Sequence, residues 1–253
     1  MTPRLRRGGS IAAAALAAAS LLAPAGTAAS RQPTPPAEPG AQADFRLSRP
    51  AEHVWRWAFV DRATSARALP AAGAPVVAPV RKRTPERTPE VLALLDRRSV
   101  DGVLWVRVRL PVLPNGTTGW VRRDRLGGYE LVRTHLIIDR ARLTARLERR
   151  GRSILRARIG IGERRWPTPQ GSFIVRNRLS GFEDPLYGAL AFGTSARSAT
   201  LTDWPGGGFI GIHGTNRPEL LPGRVSHGCI RMSDRKILAL DRRMPIGTPV
   251  SVR

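Results

Sequence analysis

Alternation with a period of two residues constrains this chain most. Leu155, Ala157, Ile159 and Ile161 alternate with arginines and Gly160, so one face of that segment is apolar and the other is charged or open. Leu143, Ala145 and Leu147 alternate in the same way with Thr144, Arg146 and Glu148, and Arg149-Arg150-Gly151-Arg152 turns the chain between the two runs. The pair reads as a hairpin with one apolar face. Upstream, Leu104, Val106, Val108 and Leu110 alternate with Trp105, Arg107 and Arg109, Pro114-Asn115-Gly116 supplies turn chemistry, and Gly119-Trp120-Val121-Arg122-Arg123 resumes the strand pattern. Glu130 to Asp139 reads as a largely buried strand, and Thr248 to Val252 as a last short one. Helical spacing is clear in one place, at Ile237, Leu240 and Met244, between an N-cap at Ser233 and a stop at Pro245. Many strands, one helix and little strand–helix–strand rhythm predict a mainly β protein whose second half is sandwich-like.

The chemistry concentrates between Gly211 and Met232. The chain reads Gly211-Ile212-His213-Gly214-Thr215-Asn216, then after a loop Ser226-His227-Gly228-Cys229-Ile230-Arg231-Met232. Two of the four histidines and the single cysteine fall here. Three readings compete. A structural one treats Cys229 as a small buried hydrophobe, but the residues around it do not form a clean apolar run. A zinc site from His213, His227 and Cys229 needs four protein ligands if closed and three if catalytic; there is no second cysteine, and the neighbouring carboxylates have no regular spacing. The third is a nucleophilic thiol beside an imidazole base, which the ingredients favour. No metal is expected.

His213-Gly214-Thr215-Asn216 followed by Ser226-His227-Gly228-Cys229-Ile230-Arg231-Met232 resembles the signature of bacterial L,D-transpeptidases, the YkuD-type catalytic domain. Thr168-Pro169-Gln170-Gly171-Ser172-Phe173 resembles a second stretch of that family. One departure is Arg231, where the strict form of the signature has Asn. The resemblance covers roughly the last half of the chain. It implies a β-sandwich, Cys229 as nucleophile and His213 as its base. It also implies that a backbone carbonyl, here that of Gly214, orients the imidazole in place of a carboxylate. Backbone N–H groups at His227, Gly228 and Cys229 are then candidates for an oxyanion site, with Ser226 shaping the loop. His227 reads either as support for that site or as a packed histidine. Arg231 reads either as a clamp on a substrate carboxylate or as a partner of a nearby acid. By resemblance the substrate is the peptidoglycan stem peptide, no cofactor is needed, and the reaction is acyl transfer to an amine or to water.

Composition bears on location and partners. The net charge is +23 and the pI near 11.9. Lys82 and Lys236 are the two lysines, so arginine carries nearly all of the positive charge. The arginines are scattered, and no nucleic-acid recognition motif accompanies them, which argues against a nucleic-acid partner. An anionic cell-wall polymer fits better. Residues 1–29 read as a secretory signal: Arg4, Arg6 and Arg7 precede an apolar run from Ile11 to Ala23 and small-residue cleavage sites. That run is too short for a confident membrane span, so no stable span is expected after the signal is removed. An exported chain with one cysteine forms no internal disulfide.

The expected organisation is a signal at 1–29, a Pro-rich linker at 30–48, a domain at 49–128 and a catalytic domain at 129–253. The middle domain resembles a small bacterial SH3-like β-barrel. Its tryptophans, Trp55, Trp57, Trp105 and Trp120, read as core more than as a ligand shelf. Pro79 to Thr88 reads as a charged loop. Phe182 to Trp204 reads as an irregular segment, which the family resemblance implies is a loop or lid over the substrate groove, with Gly206-Gly207-Gly208 as a turn or hinge. Competing activities fit poorly. A papain-like protease has cysteine before histidine, and the adjacent Glu183 and Asp184 do not suit a glycan hydrolase. A non-catalytic wall-binding protein is the alternative from another class.

Overall fold

The computed structural model describes residues 45–201 and 207–253. The expected signal at 1–29, most of the linker, Trp204 and Gly206 lie outside the described residues. The protein is mainly β. A first sheet holds β1 (Phe45–Arg46), β2 (Trp55–Phe59), β3 (Thr64–Arg67), β4 (Val76–Val80), β5 (Val91–Val100), β6 (Val103–Arg109), β7 (Thr118–Arg122) and β8 (Glu130–Val132). They run in the order β4-β3-β7-β6-β5-β2-β8, with β1 alongside β5. The alternation read at Leu104–Leu110 becomes β6, whose Val106 and Val108 are fully buried. The expected turn joins it to β7 in antiparallel register, Val106 opposite Val121. Trp57, Trp105 and Trp120 are buried, as core residues should be.

The second sheet holds β9 (Thr134–Asp139), β10 (Thr144–Arg149), β11 (Arg152–Arg158), β12 (Gly160–Gly162), β13 (Gly171–Leu179), β14 (Ala191–Arg197), β15 (Phe209–His213), β16 (Gly223–Ser226), β17 (Ile230–Arg231) and β18 (Pro249–Val252). Their order is β11-β10-β9-β18-β13-β14-β15-β17-β12-β16. The expected hairpin is β10–β11, with Ala145 opposite Ala157 and Leu147 opposite Leu155. All four face the main core with Leu136, Ile138, Ile212 and Ile230. The one α-helix among the described residues, α1 (Asp234–Asp241), buries Ile237 and Leu240 against that core. Ser233 stands at its N-cap, but its side chain makes no capping bond.

Three readings of the sequence change. The run from Glu130 to Asp139 is two strands, β8 pairing with β2 and β9 with β10 and β18, because the chain passes from one sheet to the other at Arg133. Residues 45–48, assigned to the linker by composition, are ordered. β1 pairs with β5, Leu47 is buried, and Ser48 Oγ donates to the Leu94 carbonyl at 2.6 Å. The irregular segment from Phe182 contains the seven-residue strand β14 near the middle of its sheet. Its Thr194 and Ser195 are buried yet hydrogen-bonded, Thr194 Oγ1 donating to the Ile210 carbonyl (2.6 Å) and Ser195 Oγ accepting from Ile174 N–H (3.1 Å). Satisfied polar side chains of this kind leave no hydrophobic pattern to read.

Residues 45–253 fall in one compact unit, and the contacts between the two sheets are specific. Trp57, Val91 and Val132 from the first sheet cluster with Ile174 of β13. Glu90, just before β5, forms a buried ion pair with Arg176 of β13, in which Arg176 Nε lies 2.8 Å from Oε1. The guanidinium of Arg176 also lies over the Phe209 ring. Asn177 donates to Glu86 and Thr88, each at 3.1 Å. The segment read as a charged loop at Pro79–Thr88 therefore does more than face solvent: Pro79 and Val80 finish β4, and Thr84 is buried against Asn177.

Candidate active site

Strand geometry brings the motif residues together. β15 and β17 pair in parallel, Ile212 opposite Ile230 and His213 opposite Arg231. Alternation sends Ile212 and Ile230 into the core, where they are 0% and 1% exposed. It leaves Gly211, His213, Cys229 and Arg231 on the opposite face. His213, Cys229 and Arg231 line one small cavity of about 40 Å3, together with Tyr187, Ser226 and His227. Cys229 Sγ accepts a hydrogen bond from Gly211 N–H at 3.3 Å.

His213 is buried, and its Nδ1 lies 2.7 Å from the Gly214 carbonyl oxygen. That oxygen can only accept, so the network assigns the proton to Nδ1 and leaves the Nε2 lone pair free to act as a base. Asp234 holds this turn in place. Its Oδ1 accepts from Thr215 N–H and Ala189 N–H, both at 3.1 Å, and a Cβ on Gly214 would collide with the same oxygen. Tyr187 covers the imidazole with ring centroids 5.1 Å apart, and Phe182 stacks on Tyr187 at 4.9 Å.

The cysteine loop is fixed from within. Ser226 Oγ donates to the Cys229 carbonyl at 2.6 Å and accepts from Gly228 N–H at 3.1 Å. Gly228 has φ 118°, and a Cβ there would lie 2.9 Å from Ile210 Cδ1, so glycine is required on both counts. Thr168 Oγ1 accepts from Gly162 N–H (2.9 Å) and donates to the Gly228 carbonyl (2.7 Å), which ties the Thr168-Pro169 stretch to the loop. His227 is exposed and lies edge-on to Trp166, centroids 4.1 Å apart. Arg231 is 9% exposed, forms no ion pair among the described residues, and keeps a buried Nε without a hydrogen-bond partner there. Its charge faces the cavity.

Electrostatics set the resting state. Burial is the main cause that lowers the His213 pKa, to about 4, with Arg231 adding to the fall and the Gly214 carbonyl opposing it. Burial pushes the Cys229 thiol up, while Gly211 N–H and Arg231 pull the other way. At neutral pH the pair therefore rests as thiol and neutral imidazole. Both groups line the same cavity; a neutral imidazole with a free Nε2 is the form a general base requires. Among the described residues no group of three or more His, Cys, Asp and Glu side chains is arranged to hold a metal.

Of the residues named from sequence, Cys229, His213, Ser226, His227 and Arg231 line this cavity, while Gly214 and Gly228 shape its walls. The segment expected over the groove contains Tyr187, but its contact with the imidazole was not foreseen, nor was Asp234 beneath the Gly214 turn. Asp234 was legible as a first-turn helix residue, but its second task, across the fold, was not.

The mainly β fold, with the histidine and cysteine motifs on paired parallel strands, can be compared with known proteins. Residues 133–252 match the family model of the YkuD L,D-transpeptidase catalytic domain. That part of the chain, a little under half of it, is similar to the catalytic domain of L,D-transpeptidases of the YkuD type. A Bacillus licheniformis protein provisionally named L,D-transpeptidase YkuD is 36% identical over 109 residues, covering 43% of this chain and 59% of that protein. Its Bacillus subtilis namesake is 30% identical over 118 residues, covering 47% and 65%. The chain thus spans under two thirds of the length of these relatives. Among solved structures, an Enterococcus faecium L,D-transpeptidase mutant is similar over 47% of this chain and 49% of its own, with 24% identity and a TM-score of 0.38.

Proposed function

We propose that the chain is an exported peptidoglycan L,D-transpeptidase that forms 3→3 cross-links through a thioester on Cys229. The observation that carries this reading is the placement of Cys229, a properly tautomerised His213 and an unpaired Arg231 around one cavity. In the first step Cys229 Sγ bonds to the carbonyl carbon that precedes the terminal D-alanine of a stem tetrapeptide, and His213 Nε2 takes the thiol proton. Collapse of the tetrahedral adduct breaks the C–N bond, and D-alanine leaves with the proton returned by His213. In the second step an amine of a neighbouring stem attacks the thioester and displaces the thiol. Water in place of that amine makes the reaction an L,D-carboxypeptidase.

The Cys229 N–H is the donor best placed for the oxyanion, because Ser226 already occupies the N–H of Gly228. One oxyanion donor typically contributes about 3 kcal/mol. Arg231 is the proposed clamp for a substrate carboxylate; it forms no ion pair among the described residues, although the Asp184 carboxylate acts on its charge. The first sheet is proposed as the SH3-like module, seated on the catalytic domain through Glu90–Arg176. Location in the cell wall or periplasmic space follows from the signal-like start. No helix among the described residues is long and apolar enough to cross a membrane.

The test is a mass spectrum of products from a purified disaccharide-tetrapeptide, with the wild type and Cys229→Ala. A dimer one D-alanine lighter, absent with the variant, supports the transpeptidase. A tripeptide alone means hydrolysis. Folded protein that gives neither product nor acyl-enzyme, yet still binds wall, moves the reading to a non-catalytic wall-binding protein.

A further inference from the structure

A groove lined by six basic residues lies away from the Cys229 cavity. This groove of about 680 Å3 opens beside β10 and β11 and shares no lining residue with that cavity. Arg142, Arg146, Arg156, Arg158, Lys236 and Arg253 line it, against the single carboxylate of Asp139. The β-register places Arg146 directly opposite Arg156, and Thr144 opposite Arg158. Alternation sets these side chains on the sheet face opposite to Ala145 and Ala157, which belong to the core and also line part of the groove. Like charges directly opposed on neighbouring strands destabilise a sheet, and such violations gather at functional sites.

Three of these six cations are paired with an acid. Asp139 takes Arg142 at 2.9 Å and Arg253 at 3.9 Å, and Glu148 takes Arg146 at 3.0 Å. Arg156 finds a hydroxyl, Ser153 Oγ at 3.4 Å. Arg158 and Lys236 form no ion pair among the described residues. Arg142, Arg156, Arg158 and Arg253 are exposed to solvent, and their charge is gathered along one open groove, where it can meet an extended anion. Adjacent strands lie about 4.8 Å apart and alternate residues about 7 Å apart, so neighbouring cations can meet successive charges of a linear anion. The volume exceeds that of one inorganic ion. Guanidinium forks pair with two phosphate oxygens at once.

We infer that this groove binds a linear polymer with phosphodiester groups along its backbone, and that it anchors the protein on that polymer independently of the Cys229 site. The inference goes beyond the acyl-transfer reading and does not rest on it.

The test uses the full chain and a fluorescein-labelled glycerol-phosphate oligomer, with binding followed by anisotropy at about 0.1 M salt. One variant combines Arg156→Gln, Arg158→Gln and Lys236→Gln. A control removes the same charge elsewhere, by Arg62→Gln, Lys82→Gln and Arg242→Gln. The groove variant should weaken binding about tenfold or more, and the control by about twofold or less, with a shallower salt dependence in the groove variant alone. Lys236→Gln and Arg158→Gln, made singly, should each weaken binding about twofold to threefold, which keeps a readout if the triple variant does not fold. Equal loss in groove and control variants, or no binding by the wild type, overturns the site. Tighter groove-dependent binding of duplex DNA with the same number of phosphates, or equal binding of poly-D-glutamate, overturns the ligand class.

Discussion

At the scale of single residues, burial decides the chemistry of the candidate site. The imidazole of His213 sits in a place that resists its charge, with a folded pKa of about 4 against an ordinary value of 6.5. The sign follows from linkage: below about pH 6.5 the unfolded chain takes up a proton that the folded one refuses. Stability from this group is complete above that value and is lost as pH falls toward 4, by about 3 kcal/mol in all. Urea unfolding at a series of pH values should show this acid slope in the wild type and a smaller one in His213→Gln. The raised thiol of Cys229 gives a kinetic counterpart. Alkylation by iodoacetamide should be slow at neutral pH and climb through the alkaline range; a reactive plateau near about pH 5 would instead mean a resting thiolate–imidazolium pair. Gly228→Ala combines a strained backbone with a collision at Ile210. It should cost about 1–3 kcal/mol in unfolding free energy and reduce turnover together.

At the scale of elements, the paired strands β15 and β17 and the bridge between the two sheets carry the arrangement. β15 and β17 set Cys229 against Gly211 and His213 against Arg231, and α1 contributes Asp234 to the Gly214 turn. The bridge is the buried Glu90–Arg176 pair. Removing one member leaves an uncompensated buried charge, so Glu90→Gln should lower stability by about 3–5 kcal/mol. The double change Glu90→Met with Arg176→Met should cost much less, because neither charge remains to be solvated. Chemical denaturation of the two variants side by side checks this. An equal loss in both would mean that the pair acts through packing on Phe209 rather than through charge.

At the scale of the whole molecule, residues 45–253 form one compact unit in which the first sheet covers Ile174, Arg176 and Asn177 of the second. A shortened chain beginning at Arg133 would expose these groups to water. It should melt well below the full chain, and the full chain should show one calorimetric transition rather than two. Two separate transitions would mean that the sheets fold independently.

The strands and the helix of the described residues were legible in the sequence because each rests on local pattern: period-two alternation at Leu104–Leu110 and Leu155–Ile161, and helical spacing at Ile237 and Leu240; the thiol and imidazole proposed as the catalytic pair stood out as a glycine-bounded motif. What escaped depends on partners distant along the chain. β14 was hidden because its Thr194 and Ser195 are satisfied by Ile210 and Ile174 rather than by solvent. The break at Arg133 was hidden because β8 and β9 differ in the sheets they join, not in composition. Asp234 and Tyr187 reached the site only by the folding of the chain. The sequence by itself determined which groups could react and which segments would be strands. Only the tertiary structure decided which way the Gly214 carbonyl points, how deeply His213 and Cys229 are desolvated, and where unpaired arginines converge, because each depends on surfaces assembled from residues far apart in the chain.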